Sequence, residues 1–105
     1  MELKRVVVTG LGAVTPVGNT PEETWANLLA GKSGAAPITH FDATNFKSKF
    51  ACEVKNLNVT DYIDRKEARK MDRYTQLAII AAMQGIKDSG LDMEKEDRNR
   101  IGVVY

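Results

Sequence analysis

The opening of the chain constrains its fold most. Lys4-Arg5-Val6-Val7-Val8-Thr9-Gly10-Leu11-Gly12 runs on to Thr20-Pro21-Glu22-Glu23. Three β-branched residues in succession favour a short buried strand. Gly10 and Gly12 then let the backbone turn where a Cβ would be costly. Thr20 is placed to cap a helix, Pro21 to stand at N1 where its missing N–H costs nothing, and Glu23 to complete a capping box from N3. A strand, a glycine turn and a capped helix make the start of an α/β domain.

The rest of the chain extends that pattern. The first helix is predicted from about Pro21 to Ala30, with Trp25, Leu28 and Leu29 forming a core-facing stripe and Gly31 at C′. Ser33, Gly34, Pro37 and Asn45 break the segment from Lys32 to Lys49 into loop, anchored by Phe41, Phe46 and Phe50. Phe50 to Val54 reads as a short strand, and Asp61 to Asp72 as a charged helix. A second helix, Arg73 to Asp88, is apolar nearly all round. That predicts burial in a larger body, with Ile79, Ile80, Ala82 and Met83 in close contact and Ser89-Gly90 as its end. After a charged stretch from Asp92 to Arg100, Ile101-Gly102-Val103-Val104-Tyr105 reads as another buried strand. With 105 residues the chain holds one domain at most. Its end in or just after a strand predicts that residues 1–105 are an incomplete domain, part of a larger α/β fold.

Charge and composition exclude several classes of function. A net charge of +1 gives no global field for nucleic acid or a membrane surface. The apolar run from Leu77 to Met83 is far too short to span a bilayer. The single cysteine, Cys52, forms no internal disulfide, which points to a reducing, cytoplasmic setting.

Four features invite a chemical reading. Gly10-x-Gly12-x-x-Thr15 follows a strand, but Thr15 and Pro16 stand where a dinucleotide fingerprint requires glycine or alanine. The helix cap also comes only at Thr20, so the turn reads as structural and no cofactor is implied. His40 is the only histidine and has no cysteine or acidic cluster near it, so no metal site is expected. Cys52, in Phe50-Ala51-Cys52-Glu53-Val54, has an acidic neighbour and a strand-like context. It reads as a small packed hydrophobe rather than a nucleophile. The fourth feature is Arg65-Lys66-Glu67-Ala68-Arg69-Lys70-Met71-Asp72-Arg73. On one continuous helix Arg65, Arg69, Arg73, Lys66 and Lys70 would fall at about 0°, 40°, 80°, 100° and 140°, all on one face. Like charges so placed repel by a few tenths of a kcal/mol per pair. Such a face is either a solvated surface that happens to be basic or a dock for an anionic partner. With only Tyr62 and Tyr74 nearby, it is poorly suited to stacking single-stranded nucleic acid.

The whole chain resembles the β-ketoacyl-acyl-carrier-protein synthases, the condensing enzymes of fatty-acid synthesis, and most closely their synthase II branch. The resemblance is carried by the opening segment and by Gly31-Lys32-Ser33-Gly34, His40-Phe41-Asp42, Arg65 to Asp72, Asp88-Ser89-Gly90-Leu91 and Arg100-Ile101-Gly102-Val103-Val104, in the family's order and spacing. It implies a thiolase-like layered α/β/α fold, with residues 1–105 as the N-terminal part of its first half. It implies a parent enzyme that performs decarboxylative Claisen condensation of acyl and malonyl thioesters, as a homodimer. The family's catalytic cysteine and two histidines match no position here, so no catalytic residue is assigned and the piece itself is expected to be inactive. The resemblance also implies that Lys66, Arg69 and Lys70, with Arg65 beside them, receive the acidic helix of acyl carrier protein. The alternative is a stand-alone, non-catalytic module that binds an acidic protein through the same face.

Overall fold

The computed structural model describes residues 1–105. The first helix, α1, spans Pro21–Leu29, and its ends are made as local rules require. Thr20, extended at φ −138° and ψ 161°, accepts the Glu23 N–H on its hydroxyl at 3.2 Å. Glu23 reaches back one residue further than a capping box does and accepts the Asn19 N–H at 3.0 Å. At the other end Gly31 takes φ +69°, a conformation open to glycine. Its N–H bonds the Leu28 carbonyl and the Lys32 N–H the Asn27 carbonyl, both at 3.0 Å, closing a Schellman motif.

The one sheet is a two-stranded antiparallel pair, β1 (Ala35–Pro37) with β2 (Phe50–Cys52), in the register Ala35↔Cys52, Ala36↔Ala51 and Pro37↔Phe50. Strand β1 lies inside the segment expected to be loop, and Pro37 is tolerated because the strand is an edge. Lys55 ties this hairpin to the rest of the chain. Its ammonium donates to the carbonyls of Gly34 at 2.7 Å, Glu53 at 3.0 Å and Pro16 at 3.4 Å. The tight turn at Thr15–Gly18 is closed by both backbone hydrogen bonds and held to α1 by Thr24 and Asn27.

The expected helix from Asp61 to Asp72 is interrupted. A 3₁₀ turn, Val59–Asp61, precedes a single α-turn, α2 (Arg65–Ala68), and the long helix α3 (Arg73–Ser89) begins separately, with Asp72 extended at its N-cap. At the break the Ala68 carbonyl accepts the Met71 N–H at 3.2 Å and the Gln76 side-chain amide at 2.9 Å, instead of the Asp72 N–H of a continuing helix. α3 ends one residue later than expected, with Gly90 in the left-handed region.

The N-terminal segment crosses α3 at close range. A Cβ on Gly12 would lie 1.8 Å from the Ala81 carbonyl oxygen, and one on Gly10 2.3 Å from that of Gly85. Backbone therefore rests on backbone here. Two polar side chains of α3 complete the contact: Asp88 accepts the Leu11 N–H at 2.9 Å, and Gln84 accepts the Ala13 N–H at 3.0 Å. Gln84 also donates to the Asn19 carbonyl at 2.6 Å.

The core is small. Ile63, Ala68 and Ile80 are buried, with Val14, Leu57, Val59, Met71 and Ile79 packed around them. α3 is not enclosed as expected: Ile80 is fully buried and Ile79 half-buried, while Ala82 and Met83 are exposed. The stripe of α1 is likewise uncovered, and Cys52 is exposed rather than packed. The expected strands at Val6–Val8 and Ile101–Tyr105 do not form: neither segment pairs with the sheet. The accessible surface is 9013 Å², against about 5,800 Å² for a compact chain of this size. The radius of gyration is 17.4 Å, against about 13 Å.

Candidate docking surface

The cationic residues singled out in the sequence lie together at the corner where α2 gives way to α3. Arg65 and Lys66 belong to α2, Arg69 caps its end, Lys70 sits in the turn, and Arg73 opens α3. All five are exposed. They do not share one face of a continuous helix, because the chain turns between Ala68 and Arg73; they spread over a bend instead. The bend is anchored from below. Ala68 is buried, Met71 is half-buried against the core, and the turn is closed by the Lys70 N–H to Glu67 carbonyl bond at 3.0 Å and the Met71 N–H to Ala68 carbonyl bond at 3.2 Å.

The acidic residues of the same stretch have separate tasks. Asp64 accepts the Lys66 backbone N–H at 3.0 Å and so starts α2. Glu67 pairs with the Lys70 ammonium at 3.1 Å. Arg65, Lys66, Arg69 and Arg73 have no carboxylate within ion-pair reach. Four unpaired cations on one solvated corner form a local positive field, although the chain as a whole is nearly neutral.

The other candidates are structural. His40 stands 3.9 Å from Glu53, which also accepts the Thr39 hydroxyl at 2.7 Å and the Thr39 N–H at 3.1 Å. These contacts, the Thr39 hydroxyl first, hold the Glu53 carboxyl below the ordinary value of 4.5. They fix the His40 loop to the end of β2. Cys52 faces solvent. An open groove of about 740 Å³ runs between the start of α1 and α3, lined in part by Leu11, Pro21, Tyr62, Met83, Gln84 and Asp88. Two of its polar side chains, Gln84 and Asp88, are committed to backbone N–H groups. The sequence reading missed that role. Its signal was a polar pair at i and i+4 on an otherwise apolar helix.

Residues 3–105 match the family model described as "Beta-ketoacyl synthase, N-terminal domain". This chain belongs to the β-ketoacyl synthase family. Among relatives, it is 50% identical over 104 residues to 3-oxoacyl-[acyl-carrier-protein] synthase 2 of Vibrio harveyi, covering 99% of this chain and 25% of that protein. It is 49% identical over 100 residues to the synthase 2 of Staphylococcus aureus strain COL, covering 95% of this chain and 24% of that one. Among solved structures, the ishigamide ketosynthase/chain length factor aligns with a TM-score of 0.76 at 39% identity, over 84% of this chain and 22% of its own. The fold is thus the N-terminal α/β part of a thiolase-like ketosynthase. The chain spans about a quarter of the length of the curated relatives it matches.

Proposed function

We propose that this chain is part of a 3-oxoacyl-[acyl-carrier-protein] synthase that lengthens fatty acyl chains, and that it supplies scaffold and a carrier-protein dock. The observation that carries the reading is the 50% identity maintained across 99% of the chain with an enzyme of that name. In the reaction an acyl group moves from a thioester to a cysteine thiolate. Malonyl-acyl-carrier-protein loses carbon dioxide, and the carbanion left behind attacks the cysteine-bound carbonyl and expels the thiolate. Covalent catalysis of this kind needs an activated thiol and donors for the developing oxyanion. Cys52, solvent-facing on β2, and His40, beside Glu53, are assigned neither role. A cytoplasmic, homodimeric enzyme completes the reading. The single unpaired cysteine fits a reducing compartment. The uncovered Trp25, Leu28 and Leu29 of α1 leave apolar surface for further polypeptide to cover.

The dock is assigned to Arg65, Lys66, Arg69 and Lys70. Their exposure on a rigidly anchored bend suits an acidic helix that arrives from solvent under electrostatic steering. Replacing Lys66, Arg69 and Lys70 together by alanine should weaken binding of acyl carrier protein to this chain by roughly ten- to a hundredfold at low salt. The loss should shrink as ionic strength rises. Titration calorimetry at two salt concentrations checks this. Equal affinity of the native chain and the triple variant would place the dock elsewhere.

A further inference from the structure

Within the cationic bend one residue opposes its neighbours. Glu67 lies between Lys66 and Arg69 in sequence and holds the Lys70 ammonium at 3.1 Å, one turn away. The stretch from Asp64 to Arg73 contains five cations and three carboxylates. Asp64 is occupied as the cap of α2, and Asp72 stands at the N-cap of α3. Only Glu67 is spent on a cation. Both partners of the pair remain open to water, with 71% of the Lys70 side chain and 55% of the Glu67 side chain accessible.

We propose that Glu67 is a built-in competitor for the anionic partner: it occupies Lys70 in the free protein, and docking proceeds by exchange of its carboxylate for the partner's. The proposal rests on the carrier-protein reading above and adds a regulator to that site. An exposed pair of this kind is weak enough to be displaced by an incoming acidic helix. It still lowers the positive field that steers the encounter, and it makes the contribution of Lys70 conditional. Lys66 and Arg69, which have no carboxylate partner, meet the docking anion without exchange. The bend therefore holds two kinds of cation, free and pre-engaged. The free cations supply the steering, and the pre-engaged one holds association below the rate that all of them together would give.

The test is a mutant cycle read by stopped-flow association with purified acyl carrier protein at low ionic strength, using the full 105-residue chain. Glu67→Gln should raise the association rate about threefold, within the range an exposed charge pair carries. Glu94→Gln makes the same change in net charge at an exposed position away from the bend, and should leave the rate within about 1.5-fold. Lys70→Met should slow association only slightly in the native background and about threefold in the Glu67→Gln background. Far-UV ellipticity checks that every variant keeps its helices. Equal gains from Glu67→Gln and Glu94→Gln, or strictly additive effects in the cycle, would overturn the competitor role. Lys66→Ala and Arg69→Ala separate this from the wider reading. If they slow association while the cycle is additive, only the competitor fails; if they change nothing, the dock itself fails.

Discussion

Residues 4–8 and residues 10–14 belong to one N-terminal segment without helix or strand, yet they stand in opposite conditions. From Gly10 onward the backbone lies against α3, with the Leu11 and Ala13 N–H groups satisfied by Asp88 and Gln84 and Val14 against the core. Immediately before it Val6, Val7 and Val8 are 88%, 61% and 79% exposed, and no strand pairs with them. The half with three consecutive valines is the uncovered one. Burying a valine fully is worth about 1.5–3 kcal/mol, so three valines carry a substantial drive toward burial. That drive is unmet, since no strand of the sheet pairs with them. The docked half succeeds through fit: glycines that allow close approach, and helix side chains that accept its N–H groups. Apolar pattern creates a demand for cover, and complementarity decides where a segment comes to rest.

This contrast can be broken from the docked side. Gly12→Val places a branched side chain against the Ala81 carbonyl and should cost about 1–3 kcal/mol of the local docking free energy. Hydrogen exchange at the Leu11 and Ala13 amides should accelerate by about five- to a hundredfold, making residues 10–14 behave like residues 4–8. Unchanged protection would show that close approach is not what seats the segment. Gln84→Ala is a finer probe, because it removes two hydrogen bonds and leaves the glycines in place. It should cost about 1–2 kcal/mol, with the Ala13 amide losing more protection than Leu11, whose acceptor is Asp88. Equal losses at both amides would mean that the two bonds form a single cooperative unit. The smallest effect belongs to the undocked half. Val7→Lys should change thermal stability by no more than about 0.5 kcal/mol, since the side chain has little to lose. A larger loss would reveal that residues 4–8 are covered in solution.

What could be read from the sequence follows the same division. The Thr20 cap, Pro21 at N1, the Gly31 terminus and the body of α3 all depend on contacts within a few residues, and each forms as expected. Strand β1 was hidden because Ala35-Ala36-Pro37 carries no strand signature and acquires its state from pairing with Phe50–Cys52. The break after Ala68 was hidden because the partners that take its carbonyl there, the Met71 N–H and the Gln76 amide eight residues away, leave no trace in helical periodicity. The candidate dock was legible as a set of residues: Arg65, Lys66, Arg69 and Lys70 are clustered in sequence and remain clustered on the surface. Its shape was not, because helical spacing places the five cations on one face only if the helix is continuous, and the chain makes a bend after Ala68. The engagement of Lys70 by Glu67 also required coordinates, since an i, i+3 spacing permits a pair without deciding it.

The two acceptors on α3 act as a ruler. Gln84 and Asp88 are four residues apart on a helix, a rise of about 6.0 Å. Ala13 and Leu11 are two residues apart, and a strand-like backbone spans about 6.6 Å over two residues. The lengths nearly coincide, so both N–H groups can be held at once, but only in one alignment and with the two chains running in opposite directions. Sliding the segment by a single residue would present carbonyls to carboxylate and amide oxygens, and would carry the two glycines away from Ala81 and Gly85. Length between Leu11 and the Thr15–Gly18 turn is therefore as constrained as residue identity, and one inserted residue there would do more damage than several surface substitutions.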